Sequence, residues 1–500
     1  MNSARWRDAL RDPHGWLASG ALAVLAAALR LPNLGWPREL VFDETYYAKD
    51  AYSLLQFGHE RAFIDGANEQ ILAGNLDVFS GTPAYVVHPP LGKWLIAIGE
   101  SALGMNPAGW RITVALAGVL MVVLVHRITL RLFANPWTAL LAGSFMAIDG
   151  LAIVMSRTAL LDQLLTMWIL LTLYALIRDR DFYRHTLQLL AYGEHVATLR
   201  LLRPWRLLAI ACVTAAFATK WSALWFAFGF GVLALLWDRV ERRRHPEVDA
   251  LAWLQEVGWL GISIVLASLG YAATWLGWFI STDGYDRQWS DNAVLSWIHY
   301  HQSALGFHTN LTSDHPYKAA PYWWPLQVRP TSFWYESYAP GVNGCDSTKC
   351  AGEVVALGNP IIWWLASASV VILATMFLLQ HGRRVQWDGL SAPLMGIAAG
   401  WLPWIYFHNR TTFTFYAIVF APFMFMVLAH ALTLFATTRV VVDGEEFSVT
   451  VEELHEQRFY AAVFVVAVIC ASSIFFYPVW VGSIMSADAW QLRMWFPSWV

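Results

Sequence analysis

The chain has 500 residues, 57% of them hydrophobic and 14% charged, with a net charge of −3. A soluble domain usually carries about a quarter charged residues, so a soluble enzyme is excluded, and the faintly acidic balance excludes a basic nucleic-acid-binding surface. The apolar residues fall in blocks of roughly 18 to 25, the length that crosses about 30 Å of hydrocarbon.

Arg5, Arg7 and Arg11 precede the first block, Trp16–Leu29. No small-residue cleavage site follows it, which predicts an uncleaved first span with a cytosolic N-terminus. Further blocks have cores at Val114–Val125, Ile169–Ile177, Leu207–Ala218, Ile262–Leu276, Ile361–Leu379, Leu394–Phe407, Tyr416–Leu428 and Ala461–Phe476. Basic clusters at Arg127/Arg131, Arg178–Arg206, Arg239–Arg244, Arg383/Arg384 and Arg439–Arg458 all fall on the cytosolic side if there are about eleven spans. Segments 35–108 and 281–358 then lie outside, as does the final stretch Val479–Val500. Leu91–Leu103 is apolar but too short to cross, and reads as an interfacial helix. Residues 439–458 read as a solvated cytosolic connector. No repeat divides the chain, so 1–500 is one membrane domain. The 29 Trp and 18 Tyr suit two long membrane–water boundaries.

Ionisable residues near membrane depth are costly and usually functional, and here they gather at the outer ends of spans. Asp43-Glu44 follows the first span; adjacent carboxylates sit poorly together unless one is a base and the other is paired, and a solvated loop is the plain alternative. In His88-Pro-Pro-Leu-Gly-Lys93 the prolines start the interfacial helix. A Lys at a helix beginning opposes the dipole and calls for an anion nearby, unless it only snorkels to the surface. Arg111 stands at the outer start of the second span, where a guanidinium wants a carboxylate or phosphate. Asp149, Arg157 and Asp162 flank one outer turn, as catalytic groups or as local ion pairs. Lys220 occupies another outer turn, Arg329 an aromatic run, and His408 and Arg410 a third turn, with Tyr416 beyond it. These cations disobey the positive-inside rule, and a lipid-linked phosphate at headgroup depth gives them a reason. Cys345 and Cys350 form a loop-closing disulfide if their segment is outside, or two free thiols otherwise.

Taken in order, FDETYYAKDA, VHPPLGKWLIAIGE, GWRITVALAGVL, DGLAIVMSRTALLDQ, the WP…RP run and FHNRTTFTFYAIVFAPF resemble the protein O-mannosyltransferases, a family of membrane glycosyltransferases. The resemblance implies an all-α polytopic GT-C fold of about eleven transmembrane helices with an outward-facing active site, in agreement with the charge pattern. It implies a polyprenyl- or dolichyl-phosphate mannose donor and a Ser or Thr hydroxyl on a translocated protein as acceptor, with the translocon a candidate partner. Eukaryotic members carry a soluble domain that segment 281–358 is too short to hold, so the likeness is to the actinobacterial type, with a polyprenyl carrier in the cell membrane.

By analogy with the family's acidic motif, Asp43 is the expected general base of an inverting transfer, and Glu44 orients Arg111 or the acceptor. Arg410, Lys220 and Arg329 are expected to hold the leaving phosphate, with Arg111, Lys93, His88, His408 and Asp162 in the binding site and Tyr416 donating a hydrogen bond. No metal is required, because phosphate leaves readily; if a divalent ion binds, Asp43 and Asp162 are its ligands. Two rival readings are a transferase of the same superfamily using another sugar or a glycan or lipid acceptor, and a flippase or transporter. The latter class usually shows inverted repeats and midplane charges, whereas the charges here crowd one face.

Overall fold

The computed structural model describes residues 13–191, 203–245, 252–379, 387–437 and 451–500. Helices dominate, because main-chain polar groups in hydrocarbon must be satisfied within their own segment. Six described helices are long and apolar enough to cross a membrane. They are α5 (Pro107–Phe133), α8 (Leu161–Ala191), α10 (Ala223–Arg243), α11 (Ala252–Thr274), α14 (Pro360–Leu379) and α17 (Val451–Trp480). Helices α6 (Pro136–Ile148) and α7 (Gly150–Arg157) meet at 54° and make a seventh crossing if they form one broken span. Shorter apolar helices α1 (Pro13–Arg30), α9 (Pro204–Thr219) and α16 (Ala421–Thr437) accompany them, and α15 (Trp387–Tyr406) carries Pro393 and Pro403. The expected count of about eleven is therefore not established by helix length and composition.

Between α1 and α5 lie α2 (Glu44–Phe57), α3 (Ala67–Leu72), the β1–β2 hairpin (Arg61–Phe63 with Phe79–Pro83) and α4 (Leu91–Leu103). The predicted short helix after the double proline is thus present, starting directly after Pro90. Segment 281–358 holds α13 (Ala293–Asn310) and strands β3 (Thr331–Tyr338) and β4 (Cys350–Ala356); α12 (Leu276–Ile280) precedes it. With β5 (Met485–Ser486) these strands form an antiparallel sheet in the order β3-β4-β5, next to α18 (Ala487–Gln491). Cys345 and Cys350 are disulfide-bonded and close the β3–β4 connection.

Helix starts follow local chemistry. Asn106 and Asn135 each cap two main-chain N–H groups and are followed by Pro at the first helical position, where its missing N–H costs nothing. Asp149 marks the bend, accepting from the main-chain N–H groups of Ala152 (3.0 Å) and Asn359 (2.8 Å) and from Trp363 Nε1 (2.9 Å). Asp149 is therefore not paired with Arg157, whose guanidinium donates to the carbonyls of Arg30, Pro32 and Asn33. Gly58 ends α2 at φ +75°, and a Cβ on Gly277 would fall 1.9 Å from its carbonyl oxygen. That contact holds α2 against the start of α12.

The ends of α9 are electrically distinct. Before its first turn, Arg203 bridges Asp179 and Asp238, with Arg206 joining both carboxylates, all four side chains buried. Lys220 follows its last turn. Asp179 and Asp162 are seventeen positions apart on α8, about 25 Å along a helix. Part of the expected basic pattern (Arg5, Arg7, Arg11, Arg383, Arg384, Arg439) lies outside the described residues. So do positions 439–450 of the expected connector, while 451–458 form the first two turns of α17 rather than a loop.

Candidate active site

Helix α2 begins directly at the acidic pair, and its two members behave differently. Glu44 is fully buried and accepts from Arg111 through both oxygens (2.8 Å each), from Val41 N–H (3.0 Å) and from Ala159 N–H (2.9 Å). The rest of the Arg111 fork donates to the carbonyls of Leu34, Pro37 and Glu39. Every N–H of that guanidinium is engaged, so Arg111 cannot serve the phosphate expected of it. Of the two roles expected for Glu44, orienting Arg111 or the acceptor, it is placed for the first: it holds Arg111, has no free lone pair aimed at a substrate, and fixes the start of α2.

Asp43 precedes the helix and caps nothing with its side chain. No hydrogen bond to its carboxylate is present among the described residues. Burial lifts its pKa to about 6, against the opposing pull of Lys220 and with a further upward push from Asp162. Lys220 Nζ donates to both oxygens of Asp162 (2.8 and 2.9 Å) and lies 4.5 Å from the centre of the Tyr416 ring. Asp43, Asp162, Lys220 and Tyr416 thus share one cluster, as expected.

Arg410 joins it from the turn before Tyr416. Its Nη2 donates to His308 Nδ1 at 3.3 Å, its guanidinium lies over Trp404, and its buried Nε has no partner among the described residues. His308 Nε2 faces the carbonyl of Val87 at 2.8 Å, which can only accept, so the imidazole is neutral with its proton on Nε2. Burial and the cations Arg410 and Lys220 agree, pushing its pKa down to about 4. The His88 ring packs 5.1 Å from His308 and 6.1 Å from Tyr47, and its buried Nδ1 has no partner among the described residues. Burial and then Lys220 hold His88 well below the usual imidazole pKa.

The remaining expected residues are placed elsewhere. Lys93 is fully buried and pairs with Glu60, with Asp50 at 3.9 Å. The dipole argument rightly asks for an anion beside this lysine, but the anions are carboxylates of the chain. Arg329 donates to the main-chain carbonyls of Pro316, Ser498 and Val500, tying two segments together rather than offering a free fork. His408 is exposed, with Nδ1 3.2 Å from the carbonyl of Ile405. As for metals, the described residues contain no group of three or more His, Cys, Asp and Glu suited to an ion, and Lys220 already engages both oxygens of Asp162.

Sequence reasoning missed Tyr47 and His308. His308 could have been found: Trp297, His301, Ala304 and His308 recur at helical spacing along one face of α13. The same face builds a hydrogen-bond chain. His301 Nδ1 donates to Trp297 O (2.7 Å), so Nε2 accepts from Tyr271 Oη (2.8 Å), which accepts from Trp221 Nε1 (3.0 Å). Trp221 is peptide-bonded to Lys220, and its ring meets His308 edge-on at 5.7 Å. Beside this turn an apolar groove of about 300 Å³ runs between α4, α9 and α11, lined by Leu91, Ala211, Ala215, Ala218, Leu266 and Gly270 among others.

Residues 20–267 match the dolichyl-phosphate-mannose-protein mannosyltransferase family, and residues 294–499 match the C-terminal four TMM region of protein-O-mannosyltransferase. The polyprenol-phosphate-mannose–protein mannosyltransferase of Mycobacterium tuberculosis is 33% identical, covering 97% of this chain and 92% of its own. That of Mycolicibacterium smegmatis is 32% identical over 97% and 93%. The fold is similar to the Saccharomyces cerevisiae Pmt1–Pmt2 complex bound to the sugar donor (TM-score 0.73, 15% identity, 97% and 93% covered). It is also similar to ArnT from Cupriavidus metallidurans bound to undecaprenyl phosphate (TM-score 0.50, 15% identity, 94% and 75% covered). The helical GT-C architecture expected from the sequence is thus present, and the chain belongs to the protein O-mannosyltransferase family.

Proposed function

We propose that this enzyme moves mannose from a polyprenyl-phosphate mannose to a Ser or Thr hydroxyl of a protein, with inversion at the anomeric carbon and Asp43 as general base. The observation that carries the reading is an Asp43 carboxylate without hydrogen-bond partners among the described residues, beside a cluster that holds Lys220 and Arg410. The names of the full-length relatives support the donor and acceptor classes.

In this scheme the acceptor Oγ attacks the anomeric carbon as Asp43 takes its proton. The bond from that carbon to the phosphate oxygen breaks on the opposite face, and its electron pair stays with the phosphate. Lys220 and the open side of Arg410 hold the growing negative charge, the kind of preorganised electrostatics that usually supplies the largest catalytic term. His88 and His308 stay neutral, so they line the site without competing for the phosphate as cations. Both carboxylates of the cluster act without a divalent ion, Lys220 supplying the positive charge beside Asp162. The apolar groove beside Lys220 seats the first prenyl units. The cluster opens to the extracytoplasmic side of the cell membrane, with the N-terminus cytosolic.

The test is to supply the purified, lipid-reconstituted protein with polyprenyl-phosphate [³H]mannose and a Ser/Thr-rich peptide. Label should move to the peptide hydroxyls and be lost in Asp43→Asn. Transfer to lipid or glycan but not peptide, or undiminished transfer by Asp43→Asn, would overturn the reading.

A further inference from the structure

A transferase that modifies proteins must hold a polypeptide with one hydroxyl beside its base, and strand β3 has the means. One edge of β3 pairs with β4 from Thr331 opposite Ala356 to Tyr338 opposite Cys350, with one irregularity between Ser332 and Trp334. To the other edge no main-chain hydrogen bond is made by any described residue outside the sheet.

The sheet's faces are occupied. Trp36 sits edge-on to Trp334 at 5.8 Å and donates to Gly482 O, while Trp490 packs 5.3 Å from Tyr335 and donates to Glu353 on the neighbouring strand. What remains open is the β3 rim, where Tyr335, Glu336 and Ser337 are all exposed. Folded proteins usually blunt such a strand with charged residues, Pro or a bulge, because a bare edge recruits other chains. Here the irregularity at Ser332–Trp334 lies at the buried end, and the exposed stretch Tyr335–Ser337 carries the single charge of Glu336.

The inner end of β3 abuts the reaction centre. Phe333 stacks on Phe42 at 4.8 Å, the residue before Asp43, and meets Phe415 at 5.3 Å, the residue before Tyr416. The outer end is pinned by the Cys345–Cys350 disulfide. A chain laid along β3 therefore advances toward Asp43 by about 3.3 Å per residue.

We propose that the free edge of β3 binds the acceptor polypeptide as an added strand, delivering its Ser or Thr over Phe42 to Asp43. The inference rests on the protein-acceptor reading above and specifies how that acceptor is held. Main-chain pairing recognises an extended backbone whatever its side chains, the mode of strand addition known from peptide-binding sheets. It favours extended, unfolded segments, since folded domains usually blunt or cover their edge strands.

In an added strand every second N–H points at β3 and the others point away. Two sets of acceptor peptides, N-methylated at alternate residues in opposite phase, test this directly with the intact reconstituted protein. Their Kd, read from a fluorescently labelled peptide, is measured alongside the transfer rate. One phase should weaken binding about tenfold or more and the other by less than about twofold, with the donor KM constant. Equal effects of the two phases, large or small, would overturn edge pairing. Loss of transfer from the donor with the alternation in Kd intact would instead fault the mannosyl reading and leave the edge standing.

Discussion

Lys220 Nζ lies between the two oxygens of Asp162, 2.8 and 2.9 Å away, and this pair sets the charge that Asp43 experiences. The two partners push the Asp43 carboxyl in opposite directions. Asp162→Asn removes a neighbouring negative charge and should move the rising limb of the pH–rate profile to lower pH. Lys220→Met removes the stabilising cation and should move it to higher pH. Initial-rate profiles of the two variants check the signs; shifts in the same direction would contradict the arrangement.

The wild-type profile has a sign of its own. A base must be deprotonated to work, and burial places Asp43 near pH 6. Transfer should therefore be low in acid, climb through about 6 and level above it. Asp43→Asn should reduce transfer by about two to four orders of magnitude, the usual contribution of a positioned base, while the protein extracts and melts as the wild type does.

The two arginines expected to contact phosphate should separate cleanly. Arg410 has a buried Nε without a partner among the described residues, so Arg410→Ala should raise the donor KM by about tenfold or more, the loss of one charged hydrogen bond or so. Arg329 donates to main-chain carbonyls, so Arg329→Ala should leave the donor KM within about twofold and lower Tm instead. Donor titrations and melting curves on both variants distinguish them.

The chain Trp297–His301–Tyr271–Trp221 positions the residue after Lys220. Tyr271→Phe deletes two of its bonds and should raise the donor KM about fivefold at nearly constant kcat. His301→Gln keeps one donor and one acceptor and should recover part of that loss relative to His301→Ala. A uniform fall in kcat for all three would indicate general distortion.

Much of this architecture is legible in the sequence because hydrocarbon is an unforgiving solvent: apolar blocks and misplaced cations stand out. Asp43, Asp162, Lys220, Arg410 and Tyr416 come together as the one-sided charge pattern predicts. The pattern is blind to partners. It flags Lys93 and Arg111 as cations in apolar surroundings but cannot show that Glu60 and Glu44 already neutralise them. Arg329 is misleading for a related reason, since carbonyls contributed by residues far along the chain leave no charge signature. His308 is different: its helical phase with Trp297 and His301 is written in α13, but an uncharged imidazole does not stand out among so many aromatics.

The divergent environments of Asp43 and Glu44 turn side-chain length into a ruler. Glu44 reaches Arg111, Val41 and Ala159 at once, and one methylene fewer would leave at least one of those donors stranded in an anhydrous interior. Asp43 makes no hydrogen bond or ion pair with the Lys220–Asp162 pair among the described residues, although both charges act on it. Two chemically similar acids, adjacent in the chain, are thus not interchangeable: transposing them conserves composition and charge while removing both the anchor and the open carboxylate.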